Sequence, residues 1–111
     1  MESLSIGQVV LATFPFSDLT ATKVRPCLVI GLAELNDIIL CQITSQDYGS
    51  RKAVALARND FSKGSLVSDS YVRPDKIATL HTNRIKRTLG TVSDNKLYEI
   101  KRRLKAILEI S

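Results

Sequence analysis

Many short apolar runs followed by one amphipathic helix predict a mainly β fold, a compact antiparallel barrel or sheet with a C-terminal helix. The apolar runs between Gly7 and Val92 are brief, rich in Val, Ile and Leu, and punctuated by Gly, Pro, Asn and Asp. From Asp94 to Ile110, by contrast, Leu97, Ile100, Leu104, Ile107 and Leu108 recur at helical spacing. A chain of 111 residues with 44% hydrophobic side chains is large enough for one core and too small for two, so residues 1–111 read as a single domain.

Taken in order, Ile6 to Phe16 reads as a strand entered at Gly7, with apolar residues on both faces. Pro15 lacks a ladder donor and should stop the pairing near Phe14. Ser17 to Lys23 is a small, polar connection placed to cover a groove beside Arg25. Pro26 to Ile30 and Ile38 to Ile43 are two β-branched runs that can pair around the polar middle Glu34, Asn36 and Asp37. Placing Ile30 opposite Ile39 sets Leu28 against Cys41 and Arg25 against Thr44. Gln46 to Lys52 is a loop with a hinge at Gly49, and Ala53 to Ala57 is a short strand. Arg58 to Ser65 reads as a turn or bulge region. Leu66 to Val72 and Ile77 to Leu80 read as strands broken by Arg73, Pro74, Asp75 and Lys76. Asn83 to Lys86 is a turn or short helix, with Ile85 and Leu89 buried. Ser93 is the expected N-cap of the helix, Asp94 suits its first turn, and Glu99 can reach Arg103. The run Lys101, Arg102, Arg103 and Lys105 reads as the solvated face of that helix.

The formal charge of +5 is unevenly placed. Residues 1–50 hold two basic and five acidic side chains, whereas residues 51–92 hold nine and three. Such an excess suits a polyanion, since phosphate binding releases condensed counterions; an unspecific basic surface is the alternative. Cys27 and Cys41 fall on opposite faces in the hairpin register, which predicts buried free thiols rather than a disulfide. Met1 to Ser5 form no charged-then-apolar leader, and no apolar run is long enough to span a membrane. A cytoplasmic protein without a membrane partner is therefore expected.

One histidine, His81, two cysteines on opposite faces and no dense carboxylate cluster leave no basis for a zinc site or a two-metal nuclease centre. Neither G-x-x-x-x-G-K-[ST] nor G-x-S-x-G occurs. The hairpin register does bring a guanidinium and a hydroxyl together, so Arg25 and Thr44 can converge on one phosphate. A surface ion pair from Arg25 to Asp18 or Asp47, and a local backbone bond for Thr44, are the plainer readings. Tyr48 could stack a base of a single strand while Arg51 and Lys52 hold its backbone, and Lys23, Ser45 and Lys76 are further candidate RNA contacts. With no cofactor or metal, this set supports cleavage of RNA, whose 2′-hydroxyl supplies the nucleophile. The protein then adds alignment, proton transfer and positive charge on the phosphorane.

The segments G-Q-V-V-L-A-T-F-P-F-S-D, K-V-R-P-C-L-V-I, C-Q-I-T-S, G-S-L, S-Y-V-R-P-D-K and L-G-T-V-S occur in this order before the closing helix. The pattern resembles the MazF/PemK family of toxins from bacterial toxin–antitoxin pairs over nearly the whole chain. That resemblance implies an SH3-like twisted barrel that forms a homodimer. It also implies a metal-independent, sequence-preferring endoribonuclease acting on single-stranded RNA such as mRNA. A cognate antitoxin would inhibit it by laying an acidic tail in the basic groove, and the toxin–antitoxin complex would bind operator DNA. By the R-P and I-T-S matches, Arg25 and Thr44 are the implied active-site residues. By the V-R-P-D-K match to members such as the Kid toxin, Arg73 and Asp75 join them, Asp75 as base, and its other reading is a turn-capping aspartate after proline. Two departures stand out: Thr20-Ala21-Thr22 replaces an acidic residue found upstream of R-P in some members, and His81 stands where aspartate is common.

Two other functions fit the same fold. A CcdB-like protein would poison DNA gyrase through its C-terminal region without catalysis and would need no Arg25 and Thr44 pair. An SH3-like RNA-binding module without a working base would bind and not cut.

Overall fold

The computed structural model describes residues 3–13, 23–47 and 49–110. Its strands are β1 (Gln8–Thr13), β2 (Val24–Leu32), β3 (Asp37–Thr44), β4 (Val54–Leu56), β5 (Phe61–Gly64), β6 (Ser70–His81) and β7 (Ile85–Val92), and helix α1 (Asp94–Leu108) follows. All strand pairs are antiparallel, in the order β4-β6-β3-β2-β1-β7-β5. β4 and β5 therefore stand at opposite edges of the sheet, yet only Ala57 and a 3-10 turn over Arg58–Asp60 separate them in sequence. So short a link can join the two edges only if the sheet curls, and the result is a half-barrel. This is the mainly β architecture with a terminal helix that the apolar patterning predicts.

Asp60 fastens the seam. Its carboxylate accepts the Ala57 N–H at 2.7 Å and its carbonyl accepts the Ser93 N–H at 2.6 Å. Lys96 Nζ lies 3.7 Å from the same carboxylate and donates to the Ala55 carbonyl at 2.9 Å. One aspartate thus connects the edge strand β4, the 3-10 turn and the start of α1. The facing glycines of β5 and β7 let the backbones meet closely: Gly64 has φ +65, and a β-carbon on it would sit against the Leu89 carbonyl and 2.8 Å from Gly90 Cα.

Two apolar clusters lie on opposite faces of the central strands. One joins Val9, Leu28, Cys41, Ile43 and Val72 to Val54 and Leu56 of β4, Val92 of β7 and Ile100 of α1. Leu97 and Leu104, one turn to either side of Ile100, pack on the same cluster. The other gathers Val10, Ala12, Cys27, Val29, Ile38, Leu40, Leu80 and Ile85. The two apolar faces expected of β1 are real. Both are buried within the chain, one in each cluster.

Other expectations are corrected. The pairing of Leu28 with Cys41 is observed, but a bulge after Val29 skips Ile30 and sets Ile39 against Gly31, where the missing side chain leaves room for Ile39. β6 runs unbroken through Arg73 to Lys76. Pro74, Asp75 and Lys76 form a bulge between the pairs Cys41↔Ile77 and Gln42↔Arg73, so the missing proline N–H falls where the ladder asks for none, and pairing with β3 resumes beyond it. Phe61 to Gly64 is a strand rather than part of a turn, and β7 begins at Ile85, directly after a 3-10 turn over Thr82–Arg84. The helix is as anticipated, with Ser93 Oγ accepting the Lys96 N–H at 3.2 Å and a left-handed Glu109 ending it. Glu99 bonds Lys96 at 2.8 Å, not Arg103, which reaches the Arg51 carbonyl. The readings of Phe14 to Thr22, and of Tyr48, lie outside the described residues.

Replacing Asp60 with Ala removes a carboxylate that holds a backbone donor and a mostly buried lysine. Urea unfolding is expected to show a loss of about 1–3 kcal/mol. An unchanged midpoint would mean that apolar contacts alone close the seam.

Candidate functional site

Arg25 ends the exposed start of β2 and Thr44 is the last residue of β3. The register that predicts their meeting is kept through Val29↔Leu40 and Cys27↔Gln42, and the two residues lie one same-face step beyond the latter pair. Both line one cavity of about 510 Å³, within the size range of ligand sites. Ser45, Gln46, Ser68, Ser70 and Arg87 supply further polar lining, while Leu11, Ile43, Leu66 and Leu89 form an apolar wall. Thr44 Oγ1 accepts the Gln46 N–H at 3.1 Å. That bond uses a lone pair and leaves the hydroxyl proton available to an anion in the cavity.

Arg73 and Asp75 are together, but outside that lining. The bulge in β6 lets Arg73 Nε and Nη2 each donate to one Asp75 oxygen at 3.2 Å. This two-point bond holds the Asp75 carboxyl below its ordinary value of 3.8, against a smaller opposing effect of burial. Arg73 faces Gln42 across the ladder and so borders the cavity through that neighbour. Lys76 is exposed in the same bulge.

The remaining candidates are dispersed. Lys23, exposed, precedes β2, and Ser45 lines the cavity. Arg51 and Lys52 are exposed in the loop before β4, which is ordered by Gly49 N–H on Asp47 at 2.8 Å and by the Arg103 guanidinium on the Arg51 carbonyl. His81 Nδ1 accepts the Asn83 N–H at 3.0 Å and caps the 3-10 turn, which gives the histidine a structural task. Cys27 and Cys41 are free, buried on opposite faces, and burial pushes both thiols up to about 12. Among the described residues no three His, Cys, Asp or Glu side chains gather as metal ligands would, and no helix is long and apolar enough to cross a membrane.

Gln42 and Arg87 are among the cavity residues that the sequence did not single out. Gln42 carries a side-chain oxygen that is buried and, among the described residues, without a hydrogen-bond partner. Its signal was a lone polar residue inside I-I-L-C-Q-I-T, two before Thr44 and therefore on the same strand face. Arg87 lies more than forty residues on in sequence, and only the pairing of β7 with β1 brings it to the cavity that Arg25 lines.

Compared with known proteins, residues 5–108 match the family model of the PemK-like, MazF-like toxin of type II toxin–antitoxin systems. No curated protein matches. Among solved structures, MazF from Deinococcus radiodurans aligns with a TM-score of 0.78 at 21% identity, over 99% of this chain and 100% of that one. A MazE–MazF structure from the same organism gives 0.76 at 22%, covering 100% of both chains. An endoribonuclease from a mycobacterial species, solved with its cognate antitoxin, gives 0.77 at 21% over 98% of each. At these identities the structural likeness establishes a shared fold.

Because Arg73 favours the charged form of Asp75, the pair stabilises the folded chain fully above the ordinary carboxylate value of 3.8 and ceases to do so as the pH falls through the lowered one. Asp75→Asn is therefore expected to flatten the acid side of the stability profile, followed by thermal unfolding from neutral pH downward. An acid limb unchanged in the variant would show that the pair does not contribute.

Proposed function

The chain belongs to the PemK-like, MazF-like family of type II toxins, and from that premise we propose that it is a metal-independent endoribonuclease that cuts single-stranded RNA. The observation that carries the reading is the joint presence of Arg25 and a Thr44 hydroxyl with an uncommitted proton in one solvent-reached cavity. A scissile phosphate placed there accepts from Thr44 Oγ1 on a non-bridging oxygen, while the Arg25 guanidinium offsets the charge that builds on the phosphorane. The 2′-oxygen to phosphorus bond forms as the phosphorus to 5′-oxygen bond breaks, and the leaving 5′-oxygen takes its proton from the Arg25 guanidinium, which solvent restores. The products are a 2′,3′-cyclic phosphate and a 5′-hydroxyl.

The 2′-hydroxyl proton needs an acceptor. Asp75 is the proposed one, but its lowered pKa makes it a weak base, so its share of the rate should be the smallest of the three. Arg73, tied to it, adds positive charge at the border of the cavity. Lys23, Ser45, Tyr48, Arg51, Lys52 and Lys76 are proposed as contacts along the strand. A mycobacterial relative in fold was solved with its cognate antitoxin, which supports an antitoxin as partner here. A cytoplasmic homodimer, with operator DNA bound in the toxin–antitoxin complex, completes the proposal.

The test is incubation with a long single-stranded RNA in EDTA, followed by end-group analysis. Wild type is expected to cut at a few recurring sites and leave cyclic-phosphate ends. Arg25→Ala and Thr44→Val should each lower kcat by about 10²–10³ while remaining folded, and Asp75→Asn should lower it less. Binding without cutting by wild type would reject the catalytic reading and favour a silent RNA-binding module.

A further inference from the structure

We infer that β7 carries a two-cation track, Arg87 and Lys86, that holds the backbone of a single nucleic-acid strand on one side of the Arg25 and Thr44 centre. The inference rests on the ribonuclease reading of that centre and extends it along β7.

The geometry comes from two irregularities in the pairing of β1 with β7. Val9 faces Gly90 but Val10 faces Thr88, so Leu89 is skipped; Leu11 faces Arg87 but Ala12 faces Ile85, so Lys86 is skipped. Bulges re-aim side chains and break the alternation of a strand. Here they leave Lys86, Arg87 and Thr88 consecutively exposed between buried Ile85 and half-buried Leu89. Arg87 lines the cavity that holds Arg25 and Thr44, and it also lines a second cavity of about 310 Å³ together with Lys86, Thr88 and Gln8. One arginine therefore stands on the saddle between two adjoining depressions, with a lysine beyond it.

Charge supports a polyanion there. Among the described residues, no carboxylate lies within ion-pair distance of Lys86 or Arg87, and no Asp or Glu lines either cavity. A strand whose scissile phosphate sits at Arg25 and Thr44 would meet Arg87 with an adjacent phosphate and Lys86 with a further one. Guanidinium suits the first contact because it can grip a phosphate in two places, and ammonium suits the outer one as a point charge. Such contacts hold the strand without reading its bases.

The experiment measures the affinity of a short fluorescent all-deoxy single strand, which lacks the 2′-hydroxyl and cannot be cut by the proposed route, across a range of salt concentrations. Wild type, Arg87→Gln, Lys86→Gln and the double variant are compared with a Lys101→Gln/Arg102→Gln control on the exposed side of α1. Each lost phosphate contact is expected to make the slope of log affinity against log salt shallower by about 0.7, additively in the double variant, with the control close to wild type. The inference is overturned if the double variant keeps the wild-type affinity and slope, if the control loses as much, or if wild type shows no salt-dependent binding. Cleavage of RNA by wild type is scored separately. A protein that does not cut but shows the slope changes rejects the ribonuclease reading and keeps the track, while unaltered slopes in a protein that cuts reject the track alone.

Discussion

A four-residue link between the two edge strands is the constraint on which the rest of this structure depends. Leu56 ends one edge of a seven-stranded sheet and Phe61 begins the other, so the sheet has to roll until its edges nearly touch. Rolling places Val54, Leu56 and Val92 in one cluster with Ile100 of the helix, a burial that a flat sheet could not achieve. Asp60 and Lys96 then hold the join through backbone groups of three elements. That arrangement is worth more than a surface ion pair, because it satisfies donors and acceptors that would otherwise have poor access to water.

Bulges turn this frame into a site. In β6 the bulge takes up Pro74 and sets Arg73 and Asp75 in a two-point bond. In β7 two bulges bring adjacent cations to the surface beside β1, while β2 and β3 deliver Arg25 and Thr44 to the same end of the sheet. Regular strands would alternate these side chains between a filled core and solvent. The bulges of β6 and β7 thus border the place where the proposed chemistry lies, and the regular ladders beside them keep the positions defined.

Much of this was legible in the residues themselves. The helix, its Ser93 cap, the β2–β3 hairpin and the opposite faces of the two cysteines follow from periodicity and strand parity, which are local properties. The same parity carries Arg25 and Thr44 to one cavity, since only two residues beyond the Cys27↔Gln42 pair had to be extrapolated. Pro74 was misleading, because a proline that lacks a donor reads as a strand break unless a bulge absorbs it. Phe61 to Gly64 hid among Lys, Ser and Gly, and became a strand through its contact with β7, which involves the glycine pair Gly64 and Gly90. Arg87 could not have been foreseen: its place depends on which strands neighbour β1, a long-range pairing that no local pattern encodes.

The central claim is that the rolled sheet brings Arg25, Thr44 and Arg87 to bear on one strand of nucleic acid. The direct measurement is a heteronuclear NMR titration of the labelled protein with a non-cleavable single strand carrying 2′-O-methyl groups. The account expects the Arg25 and Arg87 Nε–H signals and the Thr44 and Gln46 amides to shift together at the same ligand concentrations, with signals along Lys101, Arg102 and Lys105 unmoved. Shifts confined to the α1 face, with those of Arg25, Thr44 and Arg87 unaffected, would contradict it.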